Sequence, residues 1–203
     1  MKQIMIRNRK LLSNEKYKLE EIDFTKPNIE GNSHEQKNEV YFRPDAVAVL
    51  LVDTKKEEFI LTKQLRLPVL LNPQEGAGGF LLEVCAGLIE NGESPEQAVI
   101  REAREETGYE ISEPKKIGGV YTSAGGLTEY LHLFITKVRE VDRTSQGGGA
   151  EGEGEDIELI GLKIEDAWNQ LVDGKINDAK TMLLLQHYFN FMGTGKQNIS
   201  THV

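Results

Sequence analysis

Hydrophobic residues in this chain gather in short runs broken by charged or glycine-rich stretches. VAVLLVD (47–53) and EFILTKQLR (58–66) flank a charged TKKE, which predicts a β-hairpin. LLEVCAGLI (81–89) predicts another strand. GGVYTS (118–123) and LTEYLHLFITKV (127–138) predict two more around a Ser-Ala-Gly-Gly loop, and DIELIGLKI (156–164) predicts a last one. Near the start, KYKLEEIDF alternates in part, with Tyr17 and Leu19 on one face, so the N-terminal part is β-rich. TKPNIEGNSHEQKN (25–38) is polar and carries Pro27 and Gly31, the pattern of a turn or loop. Helical patterns cover 164–173 and 178–192, and the polar residues 194–203 read as a flexible tail. SQGGGAEGEGED is a low-complexity acidic loop, expected to be mobile. Strands interrupted by few helices point to an α+β fold or a mixed-sheet α/β sandwich.

One helix is marked at both ends. Ser94 stands as N-cap, Pro95 at the first helical position and Gln97 at capping-box spacing. Gly108 is the expected stop, and Ala98, Val99, Ile100 and Ala103 offer an apolar side to a sheet. Toward its end this helix crowds Glu102, Glu105 and Glu106. Like charges three and four apart cost about 0.2–0.5 kcal/mol per pair, and they sit at the negative end of the macrodipole. Arg101 and Arg104 relieve part of the repulsion. A solvated, salt-bridged acidic face is one reading. A set of carboxylates, with Glu93 delivered by a glycine-containing loop, is also an oxygen-only site for a hard divalent cation.

Composition narrows the choice. The formal charge of −9 repels a nucleic-acid backbone, and no basic stripe compensates, so no nucleic-acid partner is expected. An acidic protein that handles phosphates needs a cation between the two. The single cysteine, Cys85, allows no internal disulfide and reads as a packed hydrophobe. No run approaches the ~18 apolar residues of a membrane span, and a cytoplasmic protein without membrane contact is the expectation. A formal G-x-G-x-x-G (Gly147, Gly149, Gly152) runs into acidic residues instead of opening a helix. It is therefore read as loop, not as a dinucleotide fingerprint.

Gly87, then Glu93, then Arg101-Glu102-Ala103-Arg104-Glu105-Glu106-Thr107-Gly108-Tyr109 matches every fixed position of the Nudix box. On these residues the chain resembles the Nudix hydrolases, and a match of that length sets aside the solvated-face reading. The resemblance implies an α/β fold, an α/β/α sandwich with a mixed β-sheet, preceded by an N-terminal β-rich segment. It implies hydrolysis of a diphosphate joined to a nucleoside, with Mg²⁺ or Mn²⁺ as cofactor. The metal ligands would be Glu102, Glu106, Glu155 and the backbone carbonyl of Ala86. Glu105 would be a ligand or a partner of one, Arg101 would orient a glutamate, and Glu93 would fix the loop–helix geometry. The cation would neutralise the diphosphate and activate a water. The base stays open between a glutamate of 151–158 and that water.

The flanks add detail. KLLS, KNEVY (37–41), CAGLIENGE, GGLTEYLHLFI, GGGAEGEGEDIEL and GKINDAKTMLLL resemble the ADP-ribose pyrophosphatase branch, and within it the GDP-mannose pyrophosphatases. That likeness implies a nucleotide-sugar substrate, GDP-mannose before ADP-ribose, met by Lys37, Asn38, Glu39, Arg66, Ala86, Gly87, Leu88, Glu129 and Lys180. Tyr17 or Lys16 would meet the base. Glu153 and Glu158 are alternatives to Glu155. It also implies a homodimer through N-terminal strands, with residues 1–45 as dimerisation segment, 46–193 as hydrolase domain and 194–203 as tail. Ser123-Ala124-Gly125 stands where the branch has Ser-Pro-Gly, which is expected to loosen that loop. His132 and Trp168 read as packing residues. A non-catalytic nucleotide-sugar sensor is the alternative of another class. A calcium-binding reading lacks the Asp spacing of an EF-hand.

Overall fold

The computed structural model describes residues 3–72, 78–149 and 156–192. Ten strands and four helices follow one another: β1 (Met5–Asn14), β2 (Lys18–Pro27), β3 (Ser33–Phe42), β4 (Ala46–Asp53), β5 (Glu58–Leu65), α1 (Leu67–Leu71), β6 (Phe80–Glu83), β7 (Cys85–Leu88), α2 (Pro95–Glu102), β8 (Lys115–Tyr121), β9 (Tyr130–Val138), β10 (Glu158–Lys163), α3 (Ile164–Val172) and α4 (Ala179–Phe191). β1, β2 and β3 make an antiparallel sheet of their own. The other seven strands form one mixed sheet, ordered β10-β5-β4-β9-β8, with β6 on β5 and β7 on β4. Within it, β4 and β9 run parallel while the remaining named pairs are antiparallel.

The unbroken apolar run of β4 follows from burial on both faces. Ala48, Leu50 and Val52 join a core with Ala167 of α3 and Leu184 and Leu185 of α4. Val47, Val49 and Leu51 join a second core with Ala98 and Val99 of α2. Helices thus cover both sides of a mixed sheet, giving the α/β/α sandwich expected from the resemblance. Phe59 anchors the first core, its ring edge-on to Tyr188 at 4.9 Å and Phe189 at 5.9 Å. Trp168 packs edge-on to Phe189 at 5.1 Å, as its packing role requires.

Two segments differ from the sequence expectation. The polar stretch 25–38 is mostly strand. β2 runs to Pro27 and β3 starts at Ser33, leaving a five-residue turn with Gly31 at φ 84° and the Asn32 N–H on the Asn28 side chain at 2.7 Å. The backbone ladder with β2 runs the whole length of β3, and Lys37 adds cross-strand ion pairs to Glu21 at 2.9 Å and Asp23 at 3.5 Å. LLEVCAGLI, expected as one strand, is two. β6 pairs with β5 and β7 with β4, and the chain changes partner at Val84, whose N–H turns to the Thr181 hydroxyl at 2.8 Å.

Phe59 is fully buried. Phe59→Ala is expected to lower unfolding free energy by about 3–5 kcal/mol, read as a lower urea midpoint at unchanged m-value.

Candidate active site

α2 begins as its sequence dictates. Ser94 accepts from the Gln97 amide and the Gln97 side chain accepts from the Ser94 amide, a complete capping box. After Glu102 the helix widens into a π-turn over Ala103–Thr107, ending on Gly108 at φ 74°. Such turns are rare and concentrate at functional sites. The sequence gives no sign of it.

This turn aims two carboxylates at β7 from different directions. Glu102 lies so close to Gly87 that a Cβ there would fall 2.0 Å from its carboxyl carbon. Gly87 is therefore required by the approach of Glu102. Glu106, only 3% exposed, accepts the Ala86 N–H at 3.1 Å. Arg101 gathers the rest. Its Nε and Nη2 donate to the two oxygens of Glu93, each at 3.0 Å. Its Nη1 donates to Glu102 at 2.8 Å and Glu105 at 3.1 Å, and Nη2 also reaches the Leu88 carbonyl at 2.9 Å. That is one bond for each N–H of the guanidinium. The same bonds hold the Glu93 carboxyl below its usual range and push Arg101 above its own. Cys85 is fully buried beside Glu106. Burial first, and that carboxylate second, push its thiol well up, so it stays protonated.

Four carboxylates around one arginine leave an excess of negative charge in a partly buried place. The donors are oxygen only, which fits a hard divalent cation. Among the described residues no group of three or more acidic, histidine or cysteine side chains forms a ready cage. Glu102, Glu106 and the Ala86 carbonyl are the described oxygens that could serve as donors to such a cation, with phosphate and water completing the shell. Glu155, and with it Glu153, lies outside the described residues, as do the tail and Gly152.

The start of the acidic stretch, expected to be mobile, is docked. Gly148 and Gly149 donate to the carbonyls of Glu106 and Glu105 at 2.9 and 3.2 Å, and Thr144 donates to Gly108 at 2.8 Å. Gly147, at φ 70°, sits against the Glu106 carbonyl, where a Cβ would fall at 2.4 Å. The glycines cap the C-terminal carbonyls of the turn that carries the glutamates.

Other site residues form two further groups. Arg66 and Lys180 meet on Glu83, a carboxylate 2% exposed that the sequence reading missed. Its signal was a lone acid inside an apolar run. Tyr17 and Glu129 are joined through Arg43, whose guanidinium lies over the Tyr17 ring at 5.2 Å. Its Nε is 2.9 Å from Glu129, close enough to pair but off the hydrogen-bonding direction. Tyr41 meets Tyr17 edge-on at 5.8 Å. The Ala124 loop is not loose: Ser123 O accepts from Gly126 and Leu127, and Gly126 O accepts from Tyr41 of β3 at 2.8 Å. Lys37, Asn38 and Glu39 are exposed on β3, and none bonds to the carboxylate cluster. His132 is half-buried against Tyr130, and burial lowers its pKa, which suits packing.

A NUDIX domain model matches residues 42–187, more than half of the chain. The chain belongs to the Nudix family. The GDP-mannose pyrophosphatase of Escherichia coli strain K12 is 39% identical over 185 residues, 91% of this chain and 94% of the relative. That of Pectobacterium atrosepticum is 41% identical over 184 residues, 91% and 93%. A crystal structure of an ADP compounds hydrolase shares the fold at TM-score 0.67 and 18% identity, covering 92% of each chain. With the Nudix box intact and relatives of this identity, the protein is an enzyme, a hydrolase of the Nudix pyrophosphatase class. The family works with divalent cations. None of the described helices is long and apolar enough to cross a membrane.

Two tests follow from the Nudix geometry. Gly87→Ala forces Glu102 off β7 and is expected to weaken divalent-cation binding by about tenfold or more in a calorimetric titration, with the circular dichroism spectrum preserved. Glu93 has a folded pKa below its ordinary 4.5, so its bonds to Arg101 stabilise fully above 4.5 and are lost as pH falls through the lowered value. Glu93→Gln is expected to lose stability at neutral pH and to show a shallower decline below pH 4.5, measured by denaturation midpoints across pH.

Proposed function

We propose that this Nudix enzyme hydrolyses the diphosphate of a nucleotide sugar, GDP-mannose to GMP and mannose 1-phosphate, with Mg²⁺ as cofactor and Mn²⁺ as substitute. The observation that carries the chemistry is the convergence of Glu102 and Glu106 on Gly87 and Ala86, with Arg101 holding the surrounding carboxylates. The names of the relatives, similar over nine-tenths of the chain, support the substrate. When bound, the cation neutralises the diphosphate and makes water a better nucleophile. Glu102, Glu106, Glu155 and the Ala86 carbonyl would hold it. Arg101 keeps Glu102 and Glu105 in one orientation, and the Ala86 amide keeps Glu106 turned inward. Arg66 and Lys180 meet the phosphates or sugar, and Gly87 and Leu88 line the same strand. The base is open between a glutamate of 151–158, Glu155 first, and the activated water itself.

Tyr17, Lys37, Asn38 and Glu39 meet the nucleoside, with Glu129 beside it. Three of them are exposed on β3, which supports residues 1–45 as a dimerisation segment that carries them to a second protomer. Ile4, Ile6 and Leu11 are each more than half exposed along this sheet, an apolar surface that a homodimer would cover. One buried cysteine suits a reducing cytoplasm.

A panel of GDP-mannose, other nucleotide sugars and ADP-ribose, run in ¹⁸O-water with Mg²⁺, is expected to show fastest turnover of GDP-mannose and label in one monophosphate product. Equal or faster turnover of ADP-ribose would replace the substrate. No turnover of any diphosphate ester would favour a sensor. Glu106→Gln, nearly isosteric, is expected to reduce turnover by more than the ~10–100-fold typical of residues one step from the cation, with the fold intact.

A further inference from the structure

Arg66 and Lys180 come from opposite ends of the Nudix body, one after β5 and the other in the first turn of α4, yet both end on one carboxylate. Glu83 closes β6. Its Oε2 lies 2.6 Å from Arg66 Nε, and its Oε1 takes the Lys180 ammonium. Lys180 also reaches Asp178 at 3.0 Å. The side chains grow more exposed outward from this point, 3% for Glu83, 15% for Lys180 and 36% for Arg66. The anion is the buried base, and the cations are its solvent-facing cover.

A purely structural explanation is weak. The link between α4 and the β6–β7 junction is made without Glu83: Thr181 accepts the Val84 N–H at 2.8 Å and donates to Asp178 at 2.6 Å. Asp178 already caps α4 through the Thr181 amide at 2.9 Å. The cross-strand neighbour of Glu83 is the buried Thr62, and burying a carboxylate here carries a desolvation cost that an apolar side chain would not. What Glu83 adds is a fixed point for two cations that otherwise repel each other. Three residues further along the chain, Ala86 stands at the carboxylate cluster.

We propose that Glu83 is a positioning residue that presets Arg66 and Lys180 as a pair of cations for the substrate diphosphate, without touching substrate. Holding both side chains before substrate arrives removes ordering entropy from the binding step. Burial behind its two partners keeps the negative charge of Glu83 from the phosphates. The proposal rests on the substrate roles given above to Arg66 and Lys180.

The test is steady-state kinetics on Glu83→Gln, Glu83→Asp, Arg66→Ala, Lys180→Ala and the Arg66→Ala/Lys180→Ala double variant with and without Glu83→Gln. Each is run with whichever diphosphate ester the wild type cleaves, and thermal midpoints are recorded beside the rates. Glu83→Gln is expected to raise KM about tenfold or more with kcat changed by less than about threefold. It is expected to add nothing once both cations are gone. Glu83→Asp keeps the buried charge, and with it the fold, but withdraws the carboxylate by one methylene. A smaller rise in KM is expected there, and it decides the matter if the glutamine variant does not fold. An unchanged KM in the aspartate variant, or a full effect of Glu83→Gln in the double background, would overturn the positioning role while leaving Arg66 and Lys180 as substrate contacts. If Arg66→Ala and Lys180→Ala leave KM unchanged, the substrate roles themselves fail and the proposal fails with them.

Discussion

The five hydrogen bonds of Arg101 are the constraint on which the site depends. Three glutamates within one turn of helix, and a fourth from the preceding loop, repel one another and sit at the unfavourable end of a helix dipole. A lysine could offset the charge but not the geometry, because it has no planar fork to reach four carboxylate oxygens and a carbonyl at once. Arg101 therefore does two jobs with one group. It makes the acidic cluster affordable, and it ties the loop at Glu93, the strand at Leu88 and the turn at Glu105 into one rigid unit.

Rigidity of the backbone is supplied by close approaches that only glycine permits. Gly87 lets Glu102 rest on β7, Gly108 ends the π-turn, and Gly147 seats the following loop on the Glu106 carbonyl. The C-terminal carbonyls of the turn, which a free helix leaves to water, are bonded by Gly148 and Gly149. The glutamates are thus carried by a turn fixed at both ends.

Cation and anion are distributed unequally around the site. Carboxylates gather where a divalent cation is expected, while Arg66 and Lys180 gather on Glu83, three residues away along the chain. The Arg66–Lys180–Glu83 group offsets part of its own charge, while the carboxylate cluster keeps an excess of negative charge for a cation to meet. Under the proposed function a diphosphate would meet cations already in place, with less side-chain ordering left to the binding step. The third group, Tyr17, Tyr41, Arg43 and Glu129, joins the N-terminal sheet to the loop before β9. It couples the segment of the chain outside the family match to the Nudix body.

By itself the sequence determined what depends on local chemistry: the Ser94–Gln97 box, the Gly108 stop, the apolar runs of β4 and β5 and the order of glutamates in the Nudix box. Each of these is set by residues within a few positions of one another, so reading along the chain is enough. Tertiary structure alone decided the rest. The polar stretch at 25–38 is strand because its backbone finds a partner along the whole of β2. LLEVCAGLI splits because two neighbours compete for it. The docking of Gly147 to Gly149 and the meeting of Arg66 with Lys180 on Glu83 join residues far apart in the chain, and no local pattern records which distant partner a side chain will find.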